Sequence, residues 1–259
     1  MSAAIDTLLA SLGSRISHAS EIPSFLREPA PLVLGGPLDD ALPDGGLPRG
    51  VIELSAPRAL GGATSVAISA IRAAQAKDPR AWCGWLDPDG TLYAPGLARA
   101  GVDLTRLLVV RPPRADLGRI AVKVAAARAL DVLVIDMDAC GGQQQAQHPQ
   151  PQQQQQDRRR TQKPVEPEVI VRKLALLAEE GGARILLITD RDRPRRATWP
   201  VALRLELARG PESLTVHVAK DRRGRIGLKK TFGWRDGEGL SSSPAPLPAF
   251  PFALPRSAS

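Results

Sequence analysis

Apolar residues recur along this chain with two different periods, and the change of period marks its elements. Within residues 3–17, Ile5, Leu8, Leu9, Leu12 and Ile16 fall three or four apart, which predicts an amphipathic helix with one apolar stripe. Pro23, Pro29 and Pro31 follow and end it. Residues 1–30 therefore read as a helical arm and linker. Its stripe needs a cover, either its own domain or a neighbouring chain. From Leu32 onward the pattern becomes short continuous apolar runs alternating with helical stretches. Strands are predicted at 51–54, 82–86, 107–110, 132–135 and 185–188, and helices at 64–76, 97–100, 117–129 and 169–180. Runs that are apolar throughout belong to a mainly parallel sheet with helices on both faces. Residues 202–208 and 214–220 alternate instead, around a turn at Gly210 and Pro211, which predicts a C-terminal antiparallel hairpin appended to that sheet. The chain thus reads as an α/β core over residues 31–236.

Two segments lack the composition to build a core. Residues 141–167 hold glutamine runs at 143–145 and 152–156 among Pro149, Pro151, Pro164 and Pro167, and are expected to be a disordered insertion. Residues 237–259 are rich in Ser, Pro and Ala and are expected to be a disordered tail. Phe250, Phe252 and Leu254 put apolar groups in that tail. They either rest on the tail's own domain or form a short peptide that docks on a partner.

Composition narrows the class further. No run of about 18 apolar residues predicts a membrane span, and the N-terminus lacks the basic and apolar pattern of a secretory signal. Cys83 and Cys140 sit in or at the end of apolar runs. They are expected to be reduced thiols of a cytoplasmic protein, with no disulfide framework and no metal site. The net charge of +8 is unevenly placed: residues 157–235 carry 20 Lys and Arg against 10 Asp and Glu. A basic half points to nucleic acid or to an acidic protein face. The candidate contacts are Arg191, Arg193, Arg195 and Arg196, followed by Lys220, Arg222, Arg223, Arg225, Lys229 and Lys230.

Candidate chemistry centres on the strand, turn and helix of residues 51–76. In an α/β nucleotide-hydrolysing domain, glycines at such a turn let backbone N–H groups approach phosphate. A lysine neutralises charge, and the next hydroxyl holds Mg²⁺. Here the loop reads Ala56-Pro57-Arg58-Ala59-Leu60-Gly61-Gly62-Ala63-Thr64. Gly61 and Gly62 keep the turn. Gly62 occupies the lysine position, Ala63 occupies the hydroxyl position, and Thr64 comes one residue late.

The surrounding residues carry a family likeness. Leu38-Asp39-Asp40-Ala41-Leu42, then Gly45-Gly46-Leu47-Pro48-Arg49-Gly50-Val51-Ile52-Glu53, resembles the approach to the first strand of the RecA recombinase core. Trp85-Leu86-Asp87-Pro88-Asp89, with Tyr93-Ala94, Leu97 and Gly101-Val102-Asp103, resembles the strand that ends in that family's catalytic acid. The run from Leu130 to Asp136 is similar to its Walker B strand. Lys220 and Arg222 stand where RecA carries two lysines that reach the neighbouring subunit's nucleotide. The resemblance spans roughly residues 1–235 and implies a RecA-like phosphate-loop fold.

The departures from the family bear on function. Besides Gly62 and Ala63, Asp89 replaces a glutamate and shortens the reach of a base by one methylene. Asp190 replaces a glutamine that senses the γ-phosphate. The first DNA-binding loop is replaced by the Gln/Pro insertion, and the second is reduced to residues 190–198. The set implies a degenerate ATPase core without catalysis and without an expected cofactor. The alternative is weak Mg²⁺·ATP binding by a remnant of Gly61, Gly62, Thr64, Asp87, Asp89 and Asp136, unless these carboxylates only cap helices. The combination resembles the ImuA family, RecA-like accessory proteins of SOS mutagenesis and translesion synthesis. Its implied partners are RecA, an inactive Y-family polymerase homologue (ImuB-like), an error-prone C-family polymerase and possibly single-stranded DNA. SulA-like division inhibitors share such a core and stand as a sister reading.

Overall fold

The computed structural model describes residues 30–57, 62–137, 166–192 and 199–233. From Pro31 the chain forms one compact unit. Its centre is an eight-stranded sheet in the order β3-β2-β4-β5-β1-β6-β7-β8. The strands are β1 (Gly50–Ala56), β2 (Cys83–Leu86), β3 (Leu107–Val110), β4 (Val132–Asp136), β5 (Arg184–Asp190), β6 (Leu203–Arg209), β7 (Ser213–Asp221) and β8 (Lys229–Gly233). Pairings from β3 through β6 are parallel, and β6–β7–β8 is an antiparallel meander. Among the described residues, the α-helices are α1 (Ala63–Lys77), α2 (Ala94–Arg99), α3 (Leu117–Ala126) and α4 (Pro167–Gly181).

Burial follows the sequence pattern. β1 and β2 are buried at every position because helices cover both of their faces. On one face lie α1 and the N-terminal segment with Leu32, Leu34, Leu38, Leu42 and Leu47. On the other lie α3 and α4, through Leu117, Ala121, Ile170, Val171 and Leu174. Among the described residues, only one face of the meander is covered. Leu203, Leu205 and Leu207 of β6 and Leu214, Val216 and Val218 of β7 turn inward. Arg204, Glu206, Thr215, His217 and Thr231 turn out and bond one another, with His217 Nδ1 3.2 Å from Glu206 and the two threonine hydroxyls 2.9 Å apart.

The glycine pair before β1 has a steric reason. Leu32 and Leu47 exchange backbone hydrogen bonds at 2.8 and 2.9 Å, which folds the segment from Leu32 back on itself. A Cβ on Gly46 would stand 2.6 Å from Leu32 O, so no larger residue fits without breaking that pairing.

The structure moves several predicted boundaries. α4 starts at Pro167 rather than Val169, so Pro167 belongs to the helix and not to the insertion. Proline suits the first helical turn, where its missing N–H has no partner to lose. α2 starts at Ala94 and stops at Arg99, ahead of the predicted 97–100. α3 stops at Ala126, and Arg128 takes a left-handed conformation (φ 52°) that turns the chain toward β4. The predicted hairpin has a third strand, β8, so Lys229 and Lys230 lie on a strand at the sheet edge. Among the described residues, no helix is long and apolar enough to cross a membrane. Cys83 is buried, and that burial pushes its thiol up to about 12. The arm residues (Ile5, Leu8, Leu9, Leu12, Ile16), Cys140, the insertion up to residue 165 and the tail (Phe250, Phe252, Leu254) lie outside the described residues.

Candidate functional site

The carboxyl ends of the parallel strands and the start of α1 enclose a cavity of about 570 Å³. Open α/β sheets bind ligands at this place. Its walls include Gly62, Ala63, Thr64, Asp89, Asp136 and Arg209. Among the described residues no side chain caps the start of α1, and its first-turn amides have no helical acceptor. That end attracts anions, and a phosphate would be drawn to it.

The local geometry withholds what a triphosphate needs. Gly62 is the N-cap residue of α1 and holds φ 78°. A Cβ on it would stand 2.8 Å from Leu214 Cδ1, so β7 fills the space where a lysine stem would start. Ala63, in the hydroxyl position, is buried, whereas Thr64 lines the cavity one residue later and is exposed. Gly61 lies outside the described residues.

The acidic residues divide into two groups. Asp89 and Asp136 line the cavity. Asp89 is also paired with Arg114 from beyond β3. Asp87, the third carboxylate of the expected remnant, lies apart from that cavity. The residue is buried, at 1% exposed, and does not line the cavity. It accepts the Thr91 amide at 3.0 Å, the Thr91 hydroxyl at 3.3 Å and the Leu92 amide at 3.0 Å, with Arg111 3.8 Å away. Asp87 therefore organises the loop that leads into α2. Asp190 is likewise off the cavity wall. Its carboxylate accepts the Asp192 amide at 3.0 Å, and the Arg191 amide bonds to Ala56 O, which carries the chain on beside β1.

Two site features escaped the sequence reading. Arg209, the last residue of β6, brings a guanidinium to the cavity wall. It reads as an ordinary solvent-side charge on an alternating strand. Glu53 is a glutamate in the middle of β1, 1% exposed, and it accepts the Thr189 hydroxyl at 3.0 Å, while Thr189 lines the cavity. A lone acid inside an apolar run is the available signal, since such a group is kept only with partners.

The basic candidates also divide. Arg225 grips Asp44 with two nitrogens, at 2.6 and 2.8 Å, and Asp221 with its Nε at 2.8 Å; Arg223 adds a bond to Asp44 at 3.0 Å. The Arg225 bonds hold the Asp44 carboxyl below its usual range and push the guanidinium upward in turn. Lys220 donates to Trp199 O at 2.6 Å. Arg225 and Lys220 thus each have a partner within the fold. Arg191, Arg222 and Lys229 are exposed, Lys230 is half-buried, and Arg193, Arg195 and Arg196 lie outside the described residues.

Residues 34–147 match the model of the RecA N-terminal domain. Protein RecA of Gluconacetobacter polyoxogenes is 42% identical over 105 residues, covering 38% of this chain and 28% of that protein. Protein RecA of Kineococcus radiotolerans is 34% identical over 142 residues, covering 51% and 39%, and that of Mycobacterium avium is 38% identical over 118 residues, covering 43% and 32%. The chain thus spans well under half the length of these curated relatives. The mixed, mostly parallel sheet flanked by helices is a RecA-like fold, and the match in sequence to the RecA N-terminal domain lies over residues 34–147.

Proposed function

We propose that this chain is a non-catalytic, RecA-related accessory protein of the DNA-damage response. In this reading it acts in the cytoplasm by binding RecA, an ImuB-like inactive polymerase, or both, in support of an error-prone C-family polymerase. The supporting observation is the lysine position of the phosphate loop, where Gly62 abuts Leu214 while Asp89 and Asp136 face the same cavity. A triphosphate there meets the carboxylates of Asp89 and Asp136 and lacks the phosphate-loop lysine; Arg209 on the same wall offsets part of that charge, and loss of the lysine's pairing costs on the order of several kcal/mol. The RecA-like shape is kept around that site, so the surfaces of a protomer are available without an ATP switch. The arm over residues 1–30 is the proposed contact with a RecA-type subunit.

Calorimetric titration with Mg²⁺·ATP is expected to show no heat of binding at millimolar nucleotide. Capture of the full chain from DNA-damaged cells is expected to retain RecA or the polymerase homologue, and to lose RecA on deletion of residues 1–20. Tight ATP binding abolished by Asp136→Ala, or capture of a division protein alone, overturns the reading. A second reading, DNA binding, is favoured by exposed Arg191, Arg222 and Lys229. It requires affinity for single-stranded DNA that falls steeply with salt, and a flat salt dependence rejects it.

A further inference from the structure

The two edges of the sheet are treated differently. β8 closes one edge and carries Lys229 and Lys230, charges of the kind that discourage strand addition. β3 closes the other with Leu-Leu-Val-Val, and among the described residues its strand partner is β2 alone. Leu104, Leu108 and Val109 are 40%, 46% and 39% exposed there. Beside β3 lies a groove of about 460 Å³ walled by Leu92, Leu97, Leu104, Leu107 and Val109, with Arg111 at its charged position. An uncharged apolar edge with a groove beside it has the form of a seat for an extended apolar segment.

The tail contains a segment of matching form. Phe250, Phe252 and Leu254 are two apart, so an extended backbone places all three on one face. Pro251 and Pro255 have the opposite parity. In a strand, residues of one parity direct their N–H groups to one side. Amides 250, 252 and 254 would then face a partner strand, and both prolines would face away. Such a segment pairs on one side and is blocked on the other, which is the form of an added edge strand. Residues 240–255 carry no charge, in keeping with the groove. Reach is sufficient: seven strand spacings separate β8 from β3, about 33 Å, and 17 residues from Gly233 to Phe250 extend to about 56 Å.

We infer that residues 250–254 of the same chain lie along the free edge of β3 and seat Phe250 and Phe252 in the groove. A strand offered by a partner at this edge must displace the tail first.

Hydrogen exchange read by mass spectrometry tests this on the full chain, a chain ending at residue 236, and the variants Phe252→Asp and Phe252→Leu, each at two protein concentrations tenfold apart. Amides of residues 104–110 are expected to exchange at least tenfold faster after truncation and in Phe252→Asp, equally at both concentrations, with Phe252→Leu close to the parent. A synthetic peptide of residues 248–256 is expected to restore protection to the truncated chain. Equal protection in all four proteins overturns the inference. Protection confined to the higher concentration assigns the groove to a second copy, and protection that requires an added partner assigns it to that partner; either result also overturns it.

Discussion

Gly62 combines a left-handed backbone (φ 78°) with a Leu214 methyl 2.8 Å from where a β-carbon would stand. A lysine at this position meets a backbone penalty of about 1–2 kcal/mol and a further 1–3 kcal/mol of overpacking. The double variant Gly62→Lys/Ala63→Thr is therefore expected to lose about 2–5 kcal/mol in urea denaturation and to gain no ATPase activity; steady hydrolysis by that variant contradicts the geometry. The missing lysine was legible in the register of the loop after Val51. The obstruction was not, because Leu214 lies about 150 residues away and only the sheet brings it there. Asp87 shows the converse problem. A carboxylate at a strand end reads the same whether it faces a ligand or its own loop. Here it accepts three hydrogen bonds while buried, so Asp87→Ala is expected to cost about 2–4 kcal/mol of stability, as read from the shift in denaturant midpoint.

At the scale of elements, the clamp of Asp44 by Arg223 and Arg225 ties the turn before β1 to the turn after β7. Its carboxyl is held below the ordinary value, chiefly by the bond from Arg225. A depressed folded value means the clamp contributes fully above the unfolded carboxylate value of about 3.9, and that the contribution is lost as pH falls through the folded value. The parent chain should thus lose more stability than Asp44→Asn between pH 5 and pH 2, measured by thermal unfolding; parallel profiles would remove the clamp from the account. The core strands were legible because continuous apolar runs have few alternatives. β8 was not: Lys-Lys-Thr-Phe-Gly holds one large apolar residue, and its pairing with β7 comes from position in the sheet rather than from its own pattern. The apolar cover supplied by the segment from Leu32 to Leu47 was likewise hidden, since its leucines follow neither period.

Across the whole molecule, the face carrying α1 and the N-terminal leucines runs unbroken beneath β1 and the meander, and Cys83 sits in it. Burial keeps its thiol protonated at ordinary pH, with the thiol pushed up to about 12. In a Cys140→Ser variant, labelling of Cys83 by a thiol reagent at pH 8 is expected to track global unfolding measured by circular dichroism. Labelling that runs far ahead of unfolding would show that this face opens locally.

The central position of β1 also bears on how the chain comes to be folded. β1 pairs with β5 and β6, strands about 130–150 residues later, whereas β6, β7 and β8 pair with their neighbours in sequence. During synthesis the early strand must wait, with its apolar residues uncovered, until most of the polypeptide has left the ribosome. A nascent chain ending before Arg184 therefore has no finished core and is a natural client for a chaperone.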